Sequence, residues 1–495
     1  MQQMAHYDLN PEDSGGQWIA RSTPTLNMIL FFSLLTCTIL FLVFAIVEET
    51  LTPFLFFCTL YGIGGSWVFI ANRRESMARR DAVRIFTIVF FVSGAISCAI
   101  YLYYMKIYGV PYESGGTDDA RFDMIAALVQ SSSIHSYREA VDVVKESGTV
   151  SWQLYGNYAI AVGFIQKGIE WVGLTSHTMI PRILNGFILA GSSVILFKAA
   201  RFCTKSREAT NIAAYFYGLL PSVLFVAAHV YRDILVGFGI TLALYGLLEF
   251  LSHRSQKNNL VKTSRRFWSS FCFFTGVAII GIVRTGMIPL ILLCLSVLVL
   301  LQIKAPWIRA FLIIMSGFIL IVLINGPLAT IFKLGTGFFE YYTEYRLGGS
   351  AEDGISRIIY TLPFAFSIPL RLLYASISPV PFPSGIVSEN FRRVGTIIWY
   401  LSIPFLIKGM FEEKAERYSF KSLSRQTVLS FFFVFYFAVA IITMQSRQIT
   451  MYAPPGAILI SLGLERCKLN PRPYLWSMIL IGVAFVFLYL FVKIL

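Results

Sequence analysis

Long apolar runs, separated by short charged connections, dominate the chain. A helix needs about 20 apolar residues to cross a hydrocarbon core of roughly 30 Å. Runs suited to that task fall at about 26–47, 51–71, 85–104, 179–199, 210–229, 234–252, 268–283, 286–303, 310–325, 394–411, 427–445, 451–465 and 474–492. They predict an all-α fold, a polytopic transmembrane helical bundle of about 13 spans.

Two intervals between runs are long, roughly 105–178 and 326–393. Each holds a moderately apolar stretch: "GNYAIAVGFIQKGIEWVG" (156–173) and "IIYTLPFAFSIPLRLLYASISPVPFP" (358–383). The first carries Gln166, Lys167 and Glu170 together, and the second is interrupted by Pro363, Pro369, Pro379, Pro381 and Pro383. Both are expected to be interfacial or re-entrant helices, because non-helical backbone at membrane depth needs protein or water beside it. The chain then divides into spans 1–3 (residues 1–104), a first long loop (105–178), central spans 4–9 (179–325), a second, partly re-entrant loop (326–393) and spans 10–13 (394–495).

Charge gives these loops a side. The even-numbered exits are basic: Arg73, Arg74, Arg79, Arg80 and Arg84; Lys198, Arg201, Lys205 and Arg207; Arg254, Lys257, Lys262, Arg265 and Arg266. The pattern continues with Lys304 and Arg309, then Lys414, Arg417, Lys421 and Arg425, then Arg466, Lys468 and Arg472. Basic residues mark cytoplasmic loops. The N-terminus is therefore expected inside, and both long loops outside. Counting either apolar loop stretch as a full span would invert this pattern beyond it.

Composition agrees. The chain has 495 residues, 56% hydrophobic and 14% charged, too little polar surface to cover a soluble domain of this size. The net charge of +14 would suggest nucleic acid in a soluble protein; here it reflects the loop bias, and no nucleic-acid partner is expected. The seven cysteines are scattered with no CxxC or Cys/His cluster, so neither a zinc site nor a disulfide framework is expected. Residues 1–25 are polar with one basic residue, unlike a cleavable signal. There is no internal repeat.

Against this background the phrase "ESGGTDDARFD" (113–123) stands out. Two glycines lead into Asp118 and Asp119 just past the third span, at an amphipathic helix start. Acids there stabilise a helix N-terminus. They also suit a general base, or ligands for a hard divalent cation such as magnesium or manganese. The very short connection in "AAHVYRDILVGFG" (227–239) pins His229, Tyr231, Arg232 and Asp233 at the same interface. A snorkelling arginine with Asp233 capping the sixth span is the plainer reading there.

Arg284 lies in the turn between spans seven and eight, and Arg447 between spans eleven and twelve. The second long loop adds Arg346, Arg357, Arg371, Arg392 and Arg393, with Glu340, Glu344 and Asp353. Outward arginines run against the topological bias, and guanidinium pairs with phosphate in a bidentate way. As a set they point to a phosphate or pyrophosphate ligand at headgroup level; singly, each also suits a salt bridge. Tyr101, Tyr103, Tyr104, Tyr341, Tyr342 and Tyr360 fit an interfacial aromatic belt.

The segments "GGTDDARFD", "GLLPSVLFVAAHVYRDILV", "GIVRTG", "SPVPFP" and "SRQITMYAPP" together resemble the GT-C superfamily of membrane glycosyltransferases. They also resemble bacterial surface-polysaccharide proteins, Wzy-type repeat-unit polymerases for O-antigen or capsule among them. The resemblance spans about residues 85–465 through short, degenerate motifs. It implies a glycosyltransferase in the bacterial inner membrane with its active face periplasmic. The donor would be a saccharide on a polyprenyl (undecaprenyl) phosphate or pyrophosphate, and membrane lipids and other polysaccharide-assembly proteins would be its partners. By carry-over, Asp118 or Asp119 matches the catalytic acid. Arg232, Arg284 and Arg447 match the groups that hold the carrier phosphate, with His229, Asp233, Arg346 and Arg371 beside them. The chain departs from the GT-C pattern in placing its acidic loop after the third span rather than the first, and in reading Arg447-Gln448-Ile449 where an RYxxP-like segment would fall. A lipid-linked oligosaccharide flippase or transporter is the rival from another class. It would need charged or broken helices near the midplane, and the apolar runs show few ionisable residues.

Overall fold

The computed structural model describes residues 22–73, 75–113, 118–147, 152–253, 259–284, 287–302, 359, 362, 364–377, 387–411, 420–442 and 446–467. Among these residues regular structure is helical throughout, with no strand. The order is α1 (Ser22–Val47), α2 (Thr52–Ala71), α3 (Ser76–Tyr108), α4 (Asp118–Ser131), α5 (Tyr137–Glu146) and α6 (Trp152–Trp171). Then come α7 (Met179–Ala200), α8 (Arg207–Leu219), α9 (Pro221–Ala227), α10 (Asp233–His253), α11 (Asn259–Val283) and α12 (Ile288–Gln302). The last are α13 (Phe364–Ile377), α14 (Val387–Met410), α15 (Phe420–Ile442), a 3-10 turn at Ser446–Gln448, and α16 (Ile449–Arg466).

Seven of the described helices are long and apolar enough to cross a membrane: α1, α2, α3, α7, α10, α11 and α15. The pair α8 and α9 makes an eighth if it crosses as one broken span. This is a multi-pass membrane architecture, but the described helices do not reach thirteen spans. The expected spans 310–325 and 474–492 lie outside the described residues. Span 286–303 becomes the shorter α12, and spans 394–411 and 451–465 become α14 and α16, which fall short of that test.

Three local departures have physical causes. Span 210–229 is not one helix: it breaks at Leu220 and bends by 50°. Leu220 precedes Pro221 and adopts an extended backbone, as the clash of a proline ring with its predecessor demands. Pro369, expected to interrupt the second loop, sits inside a continuous α13. Pro363, Pro379, Pro381 and Pro383 lie outside the described residues. And α3 runs for 33 residues, about 50 Å at 1.5 Å per residue, well beyond the 85–104 span. Gly109, at φ 69°, ends it in the left-handed conformation that glycine adopts without penalty.

The helices differ sharply in enclosure. Every residue of α16 from Ile449 to Gly463 is buried. By contrast α1 and α2 expose Phe31, Phe32, Trp67, Phe69 and Ile70, surface that suits lipid. Specific contacts sort the helix termini into two ends. At one end, the Thr175 N–H donates to Thr52 Oγ1 (3.2 Å), His177 meets Glu48 (3.6 Å) and Arg232 reaches the carbonyl of Val283 (3.1 Å). At the other, Glu75 pairs with Arg201 (2.7 Å), Arg207 forks onto both oxygens of Asp81 (2.5 and 2.6 Å), and Arg466 donates to the Phe411 carbonyl (2.5 Å). Glu465 also accepts from the Lys205 N–H there (2.8 Å).

Candidate functional site

The start of α4 supplies three acids. N–H groups at a helix start lack intrahelical partners and favour negative charge. Asp118 and Asp119 open α4, and Asp123 follows one turn after Asp119 on the same face. Their fates differ. Asp119 is fully buried; its Oδ1 accepts from the Ala120 N–H (3.0 Å) and its Oδ2 lies 3.4 Å from the Glu113 N–H. It ties the turn after α3 to the helix start. Asp123 accepts the Tyr112 hydroxyl at 2.6 Å. Asp118 keeps a partly exposed side chain and pairs with Arg447 Nη1 at 2.5 Å.

Arg447 comes from the 3-10 turn before α16, more than 300 residues away in sequence. Its guanidinium carbon also lies 5.2 Å from the centre of the Tyr231 ring. Burial works against its charge. The negative fields of Asp233, then Asp118, outweigh that cost and hold it protonated more firmly than an ordinary arginine. Asp233 is itself buried at the first position of α10 and accepts from Arg284 Nη2 at 2.6 Å. Asp118, Arg447, Asp233 and Arg284 therefore alternate in sign, drawn from four separate parts of the chain.

The turn between α9 and α10 is enclosed. His229 Nδ1 lies 2.6 Å from the carbonyl of Phe225, so it donates there, and Nε2 accepts from the Tyr104 hydroxyl at 3.0 Å. Burial lowers the His229 pKa; Glu113 and Asp119 act in the opposite sense. A neutral imidazole fits both bonds. Tyr231 stacks on that ring at 5.2 Å and 11°, and its hydroxyl donates to Glu113 at 3.1 Å.

One turn into α7, Arg182 is fully buried and donates to the carbonyls of Ala228 (2.9 Å) and Pro111. Asn185, three residues on, donates to the carbonyls of His229 (2.8 Å) and Tyr231 (3.0 Å) and accepts the Tyr158 hydroxyl of α6 (3.0 Å). These two side chains clasp the turn before α4 and the turn before α10, so the acids and Tyr231 are held from one helix.

Of the residues singled out in the sequence, Asp118, Asp233, Arg284 and Arg447 meet in one network. Arg232 borders it, with its guanidinium carbon 6.0 Å from the Phe122 ring. Asp119 and His229 are close by, and both are enclosed: Asp119 faces the Glu113 N–H and His229 the Tyr104 hydroxyl. Arg371 belongs elsewhere: on α13, beside α15, it donates from Nε to Ser367 at 2.8 Å. Arg346 lies outside the described residues. Among the described residues no group of three or more His, Cys, Asp and Glu is arranged to hold a metal. Reasoning from sequence missed Arg182 and Asn185. The signal was present as an arginine and an asparagine one turn apart inside the apolar stretch "MIPRILNGFIL".

The arrangement is chemically a set of partly enclosed guanidiniums balanced by carboxylates, with Arg447 and Asp118 both keeping access to solvent. An incoming phosphate would compete for the same guanidinium donors. Comparison of the chain with protein-family models, curated proteins and solved structures returns no match.

Proposed function

We propose that the chain is a membrane glycosyltransferase of surface-polysaccharide assembly. It transfers a sugar or glycan from a polyprenyl (pyro)phosphate carrier to an acceptor on the extracytoplasmic face. The observation that carries this reading is a pair of ion pairs, Asp118 with Arg447 at 2.5 Å and Asp233 with Arg284 at 2.6 Å, with the charge of Asp233 also felt at Arg447. A carrier phosphate arriving at this network would draw Arg447 and Arg284 onto its oxygens. Asp118 would then be released to accept a proton. The acceptor hydroxyl oxygen bonds to the anomeric carbon, and the bond from that carbon to the phosphate oxygen breaks. The phosphate leaves with the electron pair, and the hydroxyl proton passes to Asp118. The guanidiniums stabilise charge as it develops on the leaving group. A Wzy-type repeat-unit polymerase would use the same groups with a growing glycan as donor.

The test is the surface glycan of cells carrying Asp118→Asn at normal protein levels, with the glycan and protein level of Asp119→Asn measured beside it. Asp118→Asn should abolish the glycan. Asp119→Asn should act through folding and lower the amount of protein. Unaltered glycan in Asp118→Asn would remove this mechanism.

Two features favour a transporter or flippase as a second reading. Arg182 is a buried ionisable residue inside a membrane-length helix, and α8–α9 is a broken span ending beside the network. Purified protein in detergent separates the two readings. A transferase alters a lipid-linked saccharide without a sealed compartment, whereas a flippase leaves it chemically unchanged.

A further inference from the structure

On α14 two further arginines lie near α9, one of them against Phe225. Arg392 and Arg393 stand in its second turn. Arg393 Nη2 is held by Glu389 Oε2 at 3.0 Å. Arg392 has no carboxylate partner among the described residues. Its guanidinium carbon lies 5.5 Å from the centre of the Phe225 ring, and its Nε is enclosed with no acceptor among the described residues. Arg392 is placed by packing. Three residues on, Gly395 lies against the backbone of Ser222 so closely that a Cβ would collide with it. Phe225 is three residues beyond Ser222. The crossing of α14 over α9 therefore sets Arg392 against that ring.

Phe225 then meets His229 at 4.3 Å, His229 meets Tyr231 at 5.2 Å, and Tyr231 meets Arg447 at 5.2 Å. All three rings are buried. Two arginines from distant parts of the chain thus end one column of aromatic rings. A cation over an aromatic face gains only part of what a hydrated or ion-paired guanidinium has. The donors of Arg392 match an oxyanion, and Arg392, Arg393 and Glu389 together carry a net charge of one positive unit.

We propose that Arg392, with Arg393 beside it, is a second anion-binding subsite that takes a phosphate monoester or diphosphate group. It is separated from Arg447 by the rings of Phe225, His229 and Tyr231. The proposal does not depend on the transferase reading: binding at Arg392 can hold while Asp118→Asn leaves the glycan unchanged.

The experiment is equilibrium binding of ³²P-labelled farnesyl phosphate to the full-length chain in a maltoside detergent, with ³²P-labelled inorganic phosphate in parallel. Arg392→Gln should lose one bound equivalent per chain. Arg447→Gln should keep that Arg392-dependent equivalent. Arg392→Lys, which keeps the charge without the planar fork, should bind it several-fold more weakly while remaining as monodisperse as the unaltered protein. Retention of farnesyl phosphate alone assigns the subsite to a lipid headgroup, and equal binding of both probes assigns it to free phosphate. The proposal is overturned if Arg392→Gln binds as much as the unaltered protein, if Arg447→Gln abolishes all binding, or if Arg392→Lys binds no more weakly than the unaltered protein.

Discussion

The two ends of the bundle both carry ion pairs, but they are built differently. At the end formed by the starts of α3 and α8 and the ends of α7 and α16, most pairs stand at the surface. Glu75 and Arg201 are more than 40% exposed, and the Arg207 side chain that grips Asp81 is 44% exposed. At the other end, Asp233 and Arg284 are 3% and 15% exposed, and Arg447, 21% exposed, pairs with Asp118 beside the Tyr231 ring. Exposed pairs gain little, because water screens them and holding two long side chains costs entropy. Enclosed pairs are costly to assemble and more costly to break one member at a time. The enclosed end therefore sets a cost in stability against a specific arrangement of charge.

Asp233→Asn should sharpen this contrast most. It removes the carboxylate partner of Arg284 and a negative charge felt by Arg447. The expected loss is about 3–5 kcal/mol, read as a lowered midpoint of unfolding in detergent. A loss no greater than that of a surface pair would break the contrast.

A smaller effect should follow from pH at the same end. The folded-state pKa of His229 lies below the ordinary value of 6.5 because burial disfavours the imidazolium, so the unfolded chain binds the proton more tightly. Stability from this group is intact above about pH 6.5 and declines as pH falls below it, by at most about 1.4 kcal/mol per pH unit. His229→Gln should flatten that decline. Parallel slopes for the two proteins between about pH 7.5 and 5 would show that the histidine titrates normally.

The smallest change belongs to the exposed end. Glu75→Gln should cost less than about 1 kcal/mol, and raised salt should erase the difference. A loss comparable to that of Asp233→Asn would mean the two ends are not different in kind.

The helical, multi-pass character of the chain was legible in its sequence because the bilayer imposes a length and an apolarity that any single run displays. The break at Leu220 was legible too, in the proline after it, although the run was apolar enough to read as one span. The acids of "GGTDDARFD" and the hairpin arginines stood out because charge is rare in such a chain. Their roles did not. Adjacent Asp118 and Asp119 have the same local sequence context, yet one meets an arginine from the turn before α16 and the other is enclosed against the backbone of residues 113 and 120. Arg182 carried no local signal of its role, which lies in its carbonyl partners, Pro111 and Ala228, far from it in sequence.

By itself, then, the sequence determined the helical, multi-pass character of the chain, since hydropathy acts residue by residue. Only the tertiary structure decided which guanidinium faces which carboxylate, which of two neighbouring aspartates stays accessible, and which rings stand between Arg392 and Arg447. Those outcomes depend on distances between segments hundreds of residues apart, and packing of the whole bundle sets them.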